Sequence, residues 1–327
     1  MAADSGQYGK LLYETINNVY FDEYKALPEQ YTKLFKVMDS KKAIEVDVRA
    51  GGVGQWERKG SMDSTKYDTP TDTLSIQYIH DVYSKGVEIE KELLDDEQYN
   101  IIKSKITDLA TGAKVSIEMK TISLLNNAFD STTPIFDGKS LCADHLALDG
   151  KTPISTRLKA ASNVNNMNVA ADARLSDASL KAAITQMRKT TFNDAGFKVP
   201  CRPNVLIVPP SLEFAANAIV QSATVSSSGT GLIGASGGTL DNTTNGLPKL
   251  EVVVMDYLIS DTAWFVADTN MLQFKFFWRE KMNFKQENDF NTDIYKYKGR
   301  MRFSFGTSDF RGIVGSLGTG ALPTLAT

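Results

Sequence analysis

Residues 96–129, DEQYNIIKSKITDLATGAKVSIEMKTISLLNNAF, read as one uninterrupted helix. Asp95 stands at the N-cap position and Gln98 sits three residues on, as in a capping box. Acidic residues crowd the first turn, where the helix dipole favours them. An apolar stripe runs through Ile102, Ile106, Leu109, Ala113 and Ile117 and continues to Leu124 and Ala128. At 1.5 Å per residue, roughly 34 residues make a rod on the order of 50 Å, about three times an average helix. The stripe holds no sustained a/d heptad, so a coiled coil is the weaker reading. A rod with one apolar face needs a sheet to lie on, and the rest of the chain has to supply it.

Upstream, residues 8–37 place Leu11, Leu12, Ile16, Tyr20 and Tyr24 at helical spacing until Pro28 interrupts them. The aromatic side chains of this arm are expected to pack on something else, such as a neighbouring chain. Next, AIEVDVR (43–49) alternates apolar and polar residues, and TLSIQYIHDVYS with VEIE does so again after a polar, Gly- and Pro-punctuated stretch. Two such runs around a long polar tip predict an extended β-hairpin over 43–90, a ribbon that is marginal without a body beneath it.

From Ser176 the texture becomes helix alternating with strand. LSDASLKAAITQMRKT is a helix capped by Ser176 or Asp177, with Leu180, Ile184 and Met187 on one face. PNVLIVPP (203–210) is a short buried strand, Ser211 is the expected cap of SLEFAANAIVQSA, and KLEVVVMDYL and AWFVAD are further strands. Buried strands interleaved with helices predict a compact α/β unit over about 150–265. The C-terminal part is strand-rich, with Met301, Phe303 and Phe305 alternating with Arg302 and Ser304, and SLGTGALPTLAT is expected to fray. The fold class is therefore α+β. An arm (1–42) and a hairpin (43–90) precede a domain made of 91–149 and 266–316, which the α/β unit (150–265) divides, and 317–327 is a tail.

The composition narrows the chemistry. A net charge of −3 and a pI near 5.6 give no electrostatic preference for phosphate, so tight or sequence-specific nucleic-acid binding is not expected. No apolar run approaches the roughly 18 residues of a membrane span, and MAADSGQYGK lacks a signal-peptide layout. The two cysteines, Cys142 and Cys201, form no CxxC and no disulfide framework. GTGLIG (229–234) matches G-x-G-x-x-G, but a helix and TVSSS precede it and ASGGTLDNTTNG follows, so no strand or helix start is there to hold a pyrophosphate. Gly229, Gly231 and Gly234 read instead as a pliable loop. Cys142 and His145, three residues apart in LCADHL, would have to form a nucleophile–base pair within one turn, whereas such partners come from distant parts of a chain. Asp144 and His145 lack further metal ligands. No catalytic residue, cofactor or metal is expected.

The order of these elements resembles the major capsid proteins of tailed bacteriophages, the HK97-like fold, and several segments are similar to its Mu-type major head subunit branch. The segments are FDEYKALPEQYTKLFKVMDS (21–40), GQWERKGSM (54–62), FDGKSLCADHLALDG (136–150), LSDASLKAAITQMRK (175–189), PNVLIVPPSLEFAA (203–216) and LEVVVMDYLISDTAWFVAD (250–268). The resemblance spans about 10–316. It implies that the hairpin is an E-loop lying over the adjacent subunit, that 96–129 is the spine helix of a peripheral domain, and that 150–265 is an axial domain. The axial loops of such a domain meet at the centre of pentamers and hexamers, which places Gly229, Gly231 and Gly234 at the capsomer axis. Trp56, Arg58 and Lys59 then become candidate inter-subunit contacts, since a Trp and an Arg in a polar, extended tip have the character of interface anchors. The competing reading seats Trp56 against its own body. Some family members join a hairpin lysine to a neighbour's asparagine, and Lys59 and Lys66 lie nearest the tip here.

The resemblance implies self-assembly into an icosahedral shell around double-stranded DNA held without specific binding, with portal, scaffolding and decoration proteins as partners and no membrane. The virion is the implied location, and the host bacterial cytoplasm the place of assembly. An encapsulin-like nanocompartment shell of the same fold is the alternative. A cytoplasmic enzyme built on the 136–150 loop is the rival from another class.

Overall fold

The computed structural model describes residues 5–49, 56, 58–65, 67, 74–90, 99–147, 151–158, 172–221, 224–225, 240–241, 249–289 and 294–318. Its helices are α1 (Ser5–Ala26), α2 (Tyr99–Asn126), α3 (Asp177–Thr190) and α4 (Glu213–Gln221). The first strands are β1 (Lys36–Asp39), β2 (Ile44–Arg49), β3 (Leu74–Ile79), β4 (Asp81–Glu90), β5 (Asp144–Leu146), β6 (Pro153–Ser155) and β7 (Val205–Val208). They are followed by β8 (Thr224–Val225), β9 (Leu240–Asp241), β10 (Glu251–Val254), β11 (Trp264–Ala267), β12 (Phe274–Asp289), β13 (Ile294–Thr307) and β14 (Ile313–Ser316). The chain divides into two units, each discontinuous in sequence. One comprises Met1–Asp47, Gln77–Ile122 and Phe274–Gly306; the other comprises Val48–Ile76, Ser123–Gln273 and Thr307–Thr327.

The first unit is built on a four-stranded sheet in the order β1-β12-β13-β4, with β1 parallel to β12 and β4 antiparallel to β13. The stripe on α2 meets this sheet: Ile102, Ile106, Leu109 and Ala110 share a core with Ile89, Phe284 and Tyr297. The same core shows what the arm packs on. Ile16 and Tyr20 of α1 belong to it, Tyr20 is completely buried, and its ring lies 4.5 Å from that of Phe284. The arm therefore packs within its own chain, because a helix carrying Ile16, Tyr20 and Tyr24 on one face covers apolar surface that α2 leaves open. The described part of the long helix is Tyr99–Asn126, shorter at its C-terminus than the expected 129, and Asp95 and Gln98 lie outside the described residues.

The expected hairpin over 43–90 also divides. β2 pairs with β3, but β4 leaves them and joins β13 through ten register pairs, from Ile294↔Glu90 to Phe303↔Asp81. His80, between β3 and β4, belongs to neither strand.

The second unit holds a sheet in the order β10-β7-β11-β14, whose strands β7, β11 and β14 are buried along their whole length. α3 lies against it with Leu180, Ala183, Ile184 and Met187 buried, and the Ser176 hydroxyl accepts the Ser179 N–H as the N-cap. Two expectations change here. Ser211 caps nothing: Pro210–Leu212 form a 3-10 turn, and the Ser211 hydroxyl donates to the Asp261 carbonyl at 2.7 Å. Consecutive prolines set the turn, which leaves the serine inside it. The tail does not begin loose either. Ser316 is completely buried in β14, Leu317 is 4% exposed, and the Leu317 N–H reaches Asp172 Oδ2 at 3.3 Å.

Candidate functional site

The glycine segment 229–234 lies outside the described residues, as does Lys66. The described sequence candidates are therefore Trp56, Arg58 and Lys59 on the hairpin, and the Cys142–His145 loop.

That loop is closed by its own chemistry. Cys142 is completely buried, and burial pushes its thiol far above the ordinary value. A Cβ on Gly315 would sit 2.7 Å from its Sγ, so the thiol already fills the space beside β14. His145 does not face it as a base. The imidazole Nδ1 pairs with Asp137 Oδ2 at 2.5 Å, Nε2 faces Thr156 Oγ1 at 3.1 Å, and the ring stacks on Phe310 at 4.1 Å. Burial alone would raise the Asp137 carboxyl, but the His145 hydrogen bond and charge, with the Lys139 N–H, bring it below the ordinary carboxylate value. Asp, His and Thr in line suggest a relay. Yet Thr156 is 2% exposed and its hydroxyl already donates to the Leu141 carbonyl at 2.8 Å, so the three residues clasp the 136–156 loop. Among the described residues no group of three or more His, Cys, Asp or Glu side chains could hold a metal ion. No described helix is long and apolar enough to cross a membrane. A cavity of about 70 Å³ beside Tyr20, Leu109, Gly112 and Gly299 has room for only a few waters.

The hairpin is different, because several of its apolar groups point outward while Ile76 and Tyr78 of β3 are buried. Alternation along β2 sends Glu45 and Asp47 to one side, where Glu45 accepts from the Ser40 hydroxyl at 2.7 Å and Asp47 pairs with Lys275. The opposite side presents Ile44, Val46 and Val48 to solvent, and Ile79 of β3 is exposed as well. A strand usually turns its apolar side to the core, so this ribbon is inverted along one edge.

The tip extends the pattern. Trp56 is 94% exposed, Met62 100% and Tyr67 89%. Between them the chain folds back at Gly60–Asp63: the Gly60 N–H donates to Asp63 Oδ2 at 3.0 Å and the Asp63 N–H to the Gly60 carbonyl at 3.3 Å. A Cβ on Gly60 would lie 2.6 Å from that carboxylate oxygen, which would have to shift to admit it. Arg58 and Lys59 are exposed beside it, and Lys59 Nζ reaches Thr65 Oγ1 at 3.5 Å. At that exposure Trp56 makes little contact with the described residues. Met62 and Tyr67 were missed in the sequence, although both carry the signal that singled out Trp56: a large apolar group in a polar stretch.

A family model described as phage capsid protein matches residues 73–316. No curated protein matches the chain. Among solved structures, the chain is similar to the capsid of the cyanophage P-SCSP1u, at 13% identity over 86% of this chain and 85% of that one, with a TM-score of 0.51. It is similar to the capsid of a native GTA particle, at 13% identity over 89% and 90% of the two chains and a TM-score of 0.51. A virus-like particle from Pyrococcus furiosus is similar at 10% identity over 92% and 97%, with a TM-score of 0.50. At these identities the likeness is one of fold, and the fold is the HK97-like α+β fold.

Proposed function

The chain belongs to the phage capsid protein family, and from that premise we propose that it assembles, as pentamers and hexamers, into the icosahedral shell that encloses phage double-stranded DNA. The observation that carries this reading is the outward apolar hairpin. Trp56, Met62 and Tyr67 give a soluble monomer nothing and would promote non-specific association, but they suit a surface that a neighbouring copy covers. On this reading the hairpin is the E-loop. Trp56 is its anchor, with Met62 and Tyr67 as further contacts and Arg58 and Lys59 at the rim, where charge steers pairing more than it adds affinity, and Lys66 is a further contact candidate from the sequence. α2 serves as the spine of a peripheral domain, and the α/β unit serves as the axial domain. Gly229, Gly231 and Gly234 then supply a loop that tolerates both five- and six-fold packing around the axis.

Each contact is modest, and closure of a ring or shell multiplies them. The mild net charge of −3 suits a wall that confines DNA without gripping it. Portal and scaffolding proteins complete the partner set, decoration proteins would bind the finished shell, and assembly takes place in the bacterial cytoplasm before the protein resides in the virion. The textures at 54–62, 136–150 and 203–216 favour the Mu-type branch. The likeness to the Pyrococcus furiosus particle extends to fold and supports a nanocompartment reading only at that level.

The test is sedimentation velocity with negative-stain microscopy on purified protein, alone and with the candidate scaffold. Closed shells, tubes or five- and six-membered rings are expected, with nucleic acid inside particles recovered from infected cells. A monomer or dimer under every condition would overturn the proposal, and particles filled with a protein cargo would favour the nanocompartment.

A further inference from the structure

The chain has two histidines, and the one that is not part of the 136–156 clasp sits at the base of the hairpin ribbon. His80 is the single residue between β3 and β4, where the chain turns out of the ribbon and into the four-stranded sheet. It is 4% exposed. Its Nε2 lies 3.2 Å from Ser40 Oγ and its Nδ1 lies 2.9 Å from Ser304 Oγ.

The direction of these bonds follows from the neighbours. The Ser40 hydroxyl donates to Glu45 Oε1 at 2.7 Å, so toward His80 it can only accept, which puts the imidazole proton on Nε2. Nδ1 is then the acceptor of the Ser304 hydroxyl proton. The result is a directed chain, Ser304 to His80 to Ser40 to Glu45, joining β13, the β3–β4 turn, the end of β1 and β2. All of these groups lie within one unit of the chain. A neutral imidazole satisfies this chain. A protonated one requires the Ser304 hydroxyl to turn and accept its second N–H, and it puts a positive charge into a site only 4% exposed.

The surrounding charges act in the same direction. Arg302 of β13 donates through Nε to the His80 carbonyl at 3.3 Å, and Arg302 and Arg279 of β12 both oppose a positive charge on the ring. Glu45 of β2 acts the other way, and Lys42 partly occupies it through a contact at 3.4 Å. Burial is the largest influence and also disfavours the imidazolium, so the net effect lowers the His80 value.

We propose that His80 is an acid-released catch at the base of the hairpin: as a neutral imidazole it ties β2 and the β3–β4 turn to β1 and β13, and its protonation lets that base loosen. The sign follows from linkage. With the folded value below the unfolded one, the unfolded or loosened state takes up a proton first, so the catch holds fully above about pH 6.5 and weakens as pH falls through the depressed value. Glu45, held below its ordinary value by the Ser40 hydroxyl, stays ionised over the upper part of this range, so the first loss belongs to the histidine.

Hydrogen–deuterium exchange on the full chain, corrected for intrinsic rates, tests this between pH 7.5 and 5. Protection of amides in 40–47 and 77–82 is expected to fall several-fold in acid while that of β7 stays constant. His80→Gln, which can donate to Ser40 and accept from Ser304 but does not titrate, is expected to abolish the pH dependence. Arg302→Gln, which removes an opposing cation, is expected to move the transition to higher pH, and it provides an independent test if His80→Gln folds poorly. Unchanged protection in the wild type, or a transition that neither variant alters, would overturn the proposal. Because exchange is read within one chain, this outcome is separable from whether shells form.

Discussion

Trp56→Ala separates folding from assembly. The side chain is 94% exposed, so its removal takes away almost no contact within the chain, and the folded subunit should change by less than about 0.5 kcal/mol. Its effect on association should be large. A buried indole removes about 150–250 Å² from water, which at about 25 cal/mol per Å² gives an upper limit of ~4–6 kcal/mol. Ordering costs at an interface lower this, and measured hot-spot truncations suggest about 2–4 kcal/mol for each hairpin contact. That corresponds to a loss on the order of 30- to 700-fold in each pairwise equilibrium, repeated at every subunit of a closed shell. The assay is the threshold protein concentration for shell formation by sedimentation velocity, with a thermal melt of the unassembled subunit as control. The threshold should rise by at least an order of magnitude while the melt stays unchanged. Wild-type assembly by the variant would remove Trp56 from the interface. A melt lowered as for a core tryptophan would show that the exposed placement is wrong.

Four substitutions at three positions probe the fold. Glu118, 4% exposed, accepts the backbone N–H groups of Gln30 at 2.7 Å and Tyr31 at 3.1 Å, tying the 3-10 turn after the arm to α2. Glu118→Ala removes the carboxylate that both N–H groups donate to and should cost about 2–4 kcal/mol in urea unfolding; a loss below about 0.5 kcal/mol, typical of a surface change, would refute the tie. Burial raises the Glu118 carboxyl, so the folded chain keeps that proton to higher pH than the unfolded one, and wild-type stability should decline as pH climbs through the raised value. Glu118→Gln should lack this component of the pH profile, and identical profiles would count against it. Gly112→Ala in α2 and Gly315→Ala in β14 should act in opposite directions. A Cβ at 112 meets nothing within 4 Å and should stabilise by about 1 kcal/mol, whereas one at 315 lands 2.6 Å from the Phe265 ring and should destabilise by about 1–3 kcal/mol. Thermal melts of the pair check both signs.

Elements that rest on local periodicity were legible in the sequence. The stripe from Ile102 to Ile117 located α2, the phase of Leu180, Ile184 and Met187 located the buried face of α3, and the apolar runs located β7, β10 and β11. Long-range choices were not legible. Helical spacing shows that Ile16, Tyr20 and Tyr24 share a face, but not that Phe284 of β12, far along the chain, covers it. The division of the hairpin shows in the burial but not in the sequence, where Val82 continues the even-numbered apolar positions. Ile76, Tyr78 and His80 are buried at even positions, whereas Val87 is partly buried and Ile89 buried at odd ones. The period-two burial thus slips phase just after His80, where the strand changes sheets. At the tip, Trp56 could be found as an apolar group among polar ones. The outward face of Ile44, Val46 and Val48 could not, since alternation says which residues share a face but not which face is covered.

The most direct measurement is a cryo-electron microscopy map of the assembled particle at side-chain detail around residue 56. The Trp56 indole is expected to lie buried against a neighbouring copy, with Met62 and Tyr67 covered at the same junction. An indole left in solvent, or folded back onto its own subunit in the finished shell, would contradict it.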